Sequence, residues 1–150
     1  MKELNLPEYS FKITGEPGNE MIFDPVRKKY VKLTPEEWVR QNFIQYLVNN
    51  GNYPAGLMIV EASIKLYNTK KRIDILIHDR NGKPVMMVEC KAHHIEMDES
   101  VLDQVATYNL QFRVPYLIVT NGIVNYALKF SEDYSSWEQL DFIPVYSELC

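Results

Sequence analysis

Arg72-Ile73-Asp74-Ile75-Leu76-Ile77-His78-Asp79, then Arg80-Asn81-Gly82-Lys83, then Pro84-Val85-Met86-Met87-Val88-Glu89-Cys90-Lys91 are consecutive and carry the pattern of a β-hairpin. Asn-Gly is the preferred centre of a tight hairpin turn, because both residues tolerate positive φ. With Asn81 and Gly82 as the loop, Arg80 faces Lys83, and counting along the ladder sets Asp74 opposite Glu89. A four-residue loop centred on the same dipeptide gives the same register. Side chains alternate faces along a strand. Asp74, Glu89 and Lys91 therefore share one face, while Ile73, Ile75, Ile77, Met86, Val88 and Cys90 share the other.

Directly opposed like charges destabilise a sheet. Two carboxylates ~5 Å apart repel by roughly 3 kcal/mol at an effective dielectric near 20. A hard divalent cation removes the conflict, since Mg²⁺ takes oxygen ligands from one or two carboxylates and keeps several waters. Lys91 would then stand beside the ion, in reach of a phosphate oxygen or a metal-bound water. The hairpin reads as a metal-dependent phosphodiester-cleaving site. The competing account is a plain Asp74–Lys91 salt bridge with Glu89 solvated, which leaves the position of Glu89 without a reason. The repulsion also implies that Asp74→Ala raises the stability of the metal-free protein.

Upstream, Thr34-Pro35-Glu36-Glu37 carries a helix start: an N-cap threonine, proline at the first helical position, and glutamate three residues after the cap. Val39, Phe43, Tyr46 and Leu47, broadened by Ile44 and Val48, form an apolar stripe that should end near Asn50-Gly51. From Leu57 to Leu66 the alternation is that of a strand, with Met58, Val60, Ala62, Ile64 and Leu66 on one face and Glu61 and Ser63 on the other. A turn over Tyr67 to Lys70 would pair Leu66 with Lys71 and set Ser63 opposite Asp74. Asp98 or Ser100 can cap a second helix reaching about Phe112. Strands are expected over Pro115 to Asn121, near Tyr126–Phe130 and near Phe142–Tyr146. Strand, helix, strand in that order suits a crossover connection, and helices on the faces of a mixed sheet.

The 150 residues suit one domain: a turn-rich wrapping segment over 1–33, a core over 34–130, and C-terminal edge strands over 131–150. Hydrophobic residues make up 46%, which argues against disorder. No apolar run approaches the ~20 residues of a membrane span, and the first residues lack a signal-peptide core. Cys90 and Cys150 do not make a disulfide framework, so a cytoplasmic location is expected. A net charge of −4 is not the footprint of a strong stand-alone nucleic-acid binder. Local basic clusters exist at Arg27, Lys28, Lys29 and Lys32, and at Lys65, Lys70, Lys71 and Arg72. Each serves equally as solvated surface or as a phosphate path.

The Asp74…Glu89-Cys90-Lys91 pattern, with isoleucine before the aspartate, resembles the signature of the PD-(D/E)xK nuclease superfamily. Gln104-Val-Ala-Thr-Tyr108 resembles the QxxxY accessory motif of RecB-type nucleases and of type I restriction enzyme R subunits. The segments from Ile22 to Tyr30, Thr34 to Gln41 and Val114 to Gly122 are similar to the N-terminal nuclease domain of those R subunits, so the resemblance spans about residues 21–130.

The resemblance implies an α/β, restriction-endonuclease-like three-layer core: a mixed β-sheet (helix, three antiparallel strands, helix, strand) flanked by helices. It implies Mg²⁺-dependent cleavage of DNA, with Mn²⁺ able to substitute. Asp74, Glu89 and the backbone carbonyl of Cys90 would hold the metal, and Lys91 would orient a metal-bound water or stabilise charge on the phosphoryl oxygens. Gln104 and Tyr108, one helical turn apart, would position the nucleotide or support Lys91. Gln104 is expected to be buried there and in need of partners; Tyr108 is equally explained as core on the stripe Val101, Val105, Tyr108, Phe112. Glu37 is a candidate accessory acid that a capping box also explains, and Glu61 a candidate supporting carboxylate that exposure also explains.

His93 and His94 with Cys90 invite zinc, but Cys90 points away from Lys91 and no metal-ligand spacing supports it. His78 shares the site face but lies roughly 13 Å along the strand from Asp74. No GxxxxGK[ST] loop occurs, so ATP hydrolysis and translocation are not expected from this chain; it is either a stand-alone small protein or a domain partnered by a separate motor or specificity subunit. The alternative function is a nucleic-acid-binding or assembly module that keeps the fold and does not cut.

Overall fold

The computed structural model describes residues 1–66 and 69–149. Residues 1–33, expected only to wrap the core, contain a three-stranded antiparallel sheet of β1 (Ile13–Thr14), β2 (Met21–Asp24) and β3 (Lys29–Lys32). Asp24 closes the β2–β3 hairpin. Its Oδ1 accepts hydrogen bonds from the backbone N–H groups of Val26 (2.7 Å) and Arg27 (3.0 Å), the local bonding that makes aspartate a turn residue.

Helix α1 (Pro35–Gly51) starts and stops where the sequence indicates. Thr34 accepts the Glu37 N–H, and Asn52 ends the helix in the left-handed region, donating its N–H to the Leu47 carbonyl. The capping box is not reciprocal, because the Glu37 carboxylate turns instead to Arg27, Arg40 and Gln41. The second sheet has six strands in sequence order: β4 (Met58–Leu66), β5 (Thr69–His78), β6 (Pro84–Cys90), β7 (Tyr116–Thr120), β8 (Asn125–Phe130) and β9 (Trp137–Leu140). All neighbours are antiparallel except β6 and β7. Helix α2 (Glu99–Phe112), capped by Asp98 onto the Val101 N–H, makes the connection that a parallel pair requires. Val39, Phe43 and Leu47 of α1 pack on one side of the sheet, against Ile75, Ile77, Met86 and Ile118. Val105 and Ala106 of α2 pack on the other, against Ile73, Leu76, Met87 and Leu117. The result is a mixed α/β fold.

The β5–β6 hairpin reaches the expected inner register by a different route. The Gly82 N–H bonds to the Asp79 carbonyl, and the Asp79 N–H to that of Lys83. Gly82 has φ +82 while Asn81 is not left-handed. This is a three-residue loop ending in a glycine bulge, not a two-residue Asn-Gly turn. It pairs His78 with Pro84; the register then shifts, and Ile77 meets Met86. Val85 is the extra residue. The two departures cancel, so Ile75 pairs with Val88, one rung before Asp74 and Glu89.

Two expectations about faces and register do not hold. Ser63 pairs with Arg72, not Asp74, and Leu66 with Thr69. The expected turn over Tyr67 to Lys70 lies partly outside the described residues, and Thr69 and Lys70 belong to β5. On this count Glu61 is the residue across from Asp74. Simple alternation also breaks there. Met58 and Val60 lie on the α1 side, while Ala62 and Ile64 lie on the α2 side; Ile75 and Ile77 face α1, while Ile73 faces α2. Glu61 has φ +57, so both strands exchange faces at the Glu61–Asp74 rung.

The expected strand near Phe142–Tyr146 is also absent. Pro144 lacks the N–H a ladder needs, and the edge beside β8 is taken by β9, with Phe130 opposite Trp137 and Ala127 opposite Leu140. The segment instead crosses back over the α1-side core. The Tyr53 hydroxyl donates to the Pro144 carbonyl at 2.6 Å, and the Tyr146 hydroxyl to the His78 carbonyl at 3.0 Å. Among the described residues, no helix is long and apolar enough to cross a membrane.

Candidate functional site

β5 and β6 part beyond Ile75–Val88, and the Asp74 side chain enters the gap. Its Oδ2 accepts the Cys90 N–H at 2.7 Å; continuing the ladder would have given that N–H to the carbonyl of Ile73. The N–H and C=O of a strand residue point to the same edge, so the Cys90 carbonyl faces this gap too. Lys91 follows, its N–H anchored on the Thr120 carbonyl of β7 at 2.8 Å. The segment after Lys91 is fixed in turn by Asn121, whose amide donates to the Ile95 carbonyl at 2.8 Å.

Asp74 also accepts from Arg40 Nη1 of α1, at 3.1 Å on Oδ1. Arg40 is buried at the centre of an ion network. Its Nη2 donates to Glu37 Oε1 at 2.6 Å and to Glu61 Oε1 at 3.3 Å. Arg27 joins from the β2–β3 hairpin, bonding Asp24, Glu37 at 2.9 Å and Glu61 at 3.3 Å. Two arginines thus neutralise Glu37. Burial pushes the Glu37 carboxyl up, but the hydrogen bonds and charge of Arg40, with Gln41 and Arg27, bring it down to about 2. A carboxylate so committed is a poor accessory acid. Its neighbour Glu36 lies within electrostatic reach of the site: partial desolvation and then the Asp74 charge raise its carboxyl, while Arg40 and Lys91 oppose. Glu61 sits beside Asp74 as an exposed-edge member of the Arg27–Arg40 network.

Glu89 is the strained member. It is 7% exposed, and its buried Oε1 has no hydrogen-bond partner. The nearest cation, Lys71 Nζ, stands 3.9 Å away, beyond hydrogen-bond range. Burial first, then the Asp74 charge, push its carboxyl up to about 7 against the pull of Lys71 and Lys91. Burial raises Asp74 too, opposed by the Cys90 N–H and then by Arg40, Lys91 and Lys71.

Tyr108 and Gln104 lie on the exposed side of α2. Gln104 is not the buried amide expected. Tyr108 sits at the rim of its apolar stripe and is 36% exposed, with Lys71 Nζ 4.2 Å from its ring centroid. The structure therefore places Asp74 and Glu89 just beyond the last paired rung of β5 and β6, sets Lys91 immediately past the end of β6, and links Tyr108 to Glu89 through Lys71. Arg40 and Lys71 were missed as site residues. Lys71 was visible only as one member of a basic run, and nothing local marks Arg40 as the partner of an acid 34 positions away.

Among the described residues, no group of three or more His, Cys, Asp or Glu side chains is placed to hold a metal ion. The two carboxylates fit a hard divalent cation of the kind that takes one or two of them and keeps its waters. The orphaned Glu89 oxygen is what such an ion would satisfy. Asp74 keeps unused lone pairs beside its two donors.

Residues 35–144 match the family model of the type I restriction enzyme R protein N terminus (HSDR_N). The chain belongs to this family. Among solved structures it is similar to a fragment assigned as the HsdR subunit of a type I restriction enzyme from Vibrio vulnificus YJ016. The identity is 18% and the TM-score 0.56, over 78% of this chain and 24% of that one. At this identity the likeness speaks for the fold alone. The chain spans about a quarter of that chain's length. No curated protein matches.

Proposed function

We propose that this chain is a metal-dependent deoxyribonuclease domain with a restriction-endonuclease-like core. The observation that carries the reading is the buried Glu89 oxygen without a donor, one rung beyond the Ile75–Val88 pair, where the count also places Asp74, with Lys91 just past the strand end. Membership of the R protein family supports it.

Asp74, Glu89 and the Cys90 carbonyl would hold Mg²⁺ or Mn²⁺. When bound, the ion supplies Lewis-acid polarisation of the scissile phosphate. The chain's own residues do the rest. Arg40 and the Cys90 N–H fix the Asp74 carboxylate. Lys91, just past the end of the strand that bears Glu89, offers an ammonium to the charge that builds on the phosphoryl oxygens. Gln104, on exposed α2, is available to a nucleotide rather than to the core. ATP-driven movement along DNA would come from residues or subunits beyond these 150, since they contain no phosphate-binding loop.

The net charge of −4, and Arg40 already on Asp74, favour a second reading: a nucleic-acid-binding or assembly module that does not cut. Conversion of supercoiled DNA to nicked circles in Mg²⁺ or Mn²⁺ separates the two. Wild type should nick and Lys91→Ala should lose at least ~100-fold in rate, the scale of removing one charge-stabilising group. DNA binding with no metal-dependent nicking selects the module.

A further inference from the structure

Lys71 differs from the rest of its basic run. Lys65 and Lys70 are exposed, and the Arg72 side chain is 68% exposed; the Lys71 side chain is 21% exposed and reaches inward. Its ammonium lies between two weak partners, the Tyr108 ring at 4.2 Å and Glu89 Oε1 at 3.9 Å. The first contact is a cation–π interaction, weak at an accessible site. The second is an ion pair without a hydrogen bond. Lysine is a compact charge on a flexible stem, and this one is steered to the site without being committed to it.

We infer that Lys71 is the group through which Tyr108 serves the site: in the metal-free protein its ammonium balances Glu89, and with the ion on that carboxylate it contacts an oxygen of the phosphodiester. The inference rests on the nuclease reading. Geometry leaves the ammonium few other uses. A divalent ion on Glu89 repels a cation 3.9 Å from the same oxygen. The displaced amine stays tethered by Tyr108 on the side of the sheet that carries Glu89. There an incoming phosphate is the available anion. Tyr108 is then a positioning residue, acting by holding the amine.

Three measurements on the full chain test this. Mn²⁺ affinity is measured by titration calorimetry for wild type, Lys71→Met, Tyr108→Phe and Tyr108→Leu. DNA affinity is measured in Ca²⁺ across a salt series, and nicking in Mg²⁺. Lys71→Met should bind Mn²⁺ at least ~3-fold more tightly, because a competing charge is gone. It should also nick at least ~10-fold more slowly, and its log–log salt slope should fall by about one. Tyr108→Phe should behave as wild type, since the ring is kept, and Tyr108→Leu should lose nicking. Lys71→Arg should keep the salt slope, and it carries the slope test if the methionine variant does not fold. Failure of wild type to bind Mn²⁺ would sink both the nuclease reading and this inference. Wild-type binding with Mn²⁺ affinity and salt slope unchanged in Lys71→Met would sink the inference alone, and Tyr108→Phe matching Tyr108→Leu would remove the ring from it.

Discussion

Glu89→Gln should stabilise the metal-free protein, and the gain should depend on pH in a defined way. The Glu89 carboxyl is raised from 4.5 to about 7, by burial first and by Asp74 second. A raised acid contributes stability that is fully present below its unfolded value and is lost as pH climbs through the folded one. At 1.36 kcal/mol per unit, ionising Glu89 in the folded state costs about 3 kcal/mol by pH 8.5. Coulomb's law gives the same scale for two carboxylates ~5 Å apart at a dielectric near 20. Glutamine keeps the shape, removes the charge and can donate toward Asp74. Its packing cost does not vary with pH, so the difference between two pH values is the diagnostic. In EDTA, urea unfolding should show the variant gaining about 3 kcal/mol relative to wild type between pH 4.5 and 8.5. For a chain of this size that is roughly 6–12 °C in Tm. Saturating Mn²⁺ should shrink the difference by stabilising wild type selectively. A gap between the two proteins that stays flat across this range would refute the strained-acid account.

Arg40→Met should cost about 3–5 kcal/mol in urea unfolding at pH 7, the scale of removing one partner from a buried ion cluster. The penalty should shrink as pH falls from 4.5 toward 2, because the depressed Glu37 carboxyl contributes stability that is present above its unfolded value and lost through its folded one; a loss under ~1 kcal/mol at pH 7 would remove Arg40 as the centre of the network. At Glu61, glycine and alanine both delete the contacts to Arg27 and Arg40, but only alanine keeps the cost of φ +57. Glu61→Gly should therefore be more stable than Glu61→Ala by about 1 kcal/mol in the same assay, against the usual ranking within strands, and the usual order would refute the left-handed rung.

Much of this fold was legible because its signals are local. Thr34-Pro35 and Asn50-Gly51 bracket α1, Asp98 starts α2, and apolar alternation marks β4 as a strand although its faces exchange midway. The inner register of the hairpin, Ile75 opposite Val88, was also legible, for a partly wrong reason. The glycine-bulge loop shifts the register one way and Val85 shifts it back, so a count from an idealised turn arrives at the right rung. The exchange of faces at Glu61 could not be read. Nothing in Val-Glu-Ala marks a left-handed glutamate; its conformation is held by Arg27 and Arg40, 34 and 21 positions away. The small N-terminal sheet escaped notice because its strands have two to four residues, too few for a period to show.

The same long-range contacts reverse the expectation for Asp74. Opposed carboxylates suggested that removing Asp74 would relieve the fold. The structure divides the pair unequally. Asp74 holds two donors, Arg40 at 3.1 Å and the Cys90 N–H at 2.7 Å, while the buried Glu89 Oε1 holds none. Asp74→Ala would leave Arg40 Nη1 and a strand-end N–H without their acceptor, at about 1–3 kcal/mol for each unpaired group. It would return only the part of the Glu89 strain that the Asp74 charge supplies, which is second to burial. Relief therefore belongs to substitution at Glu89, and Asp74 is held by the rest of the fold. Through Arg40, Glu37 and Arg27, its hold extends to the β2–β3 hairpin. That ties the N-terminal sheet to the position of one oxygen at the candidate metal site.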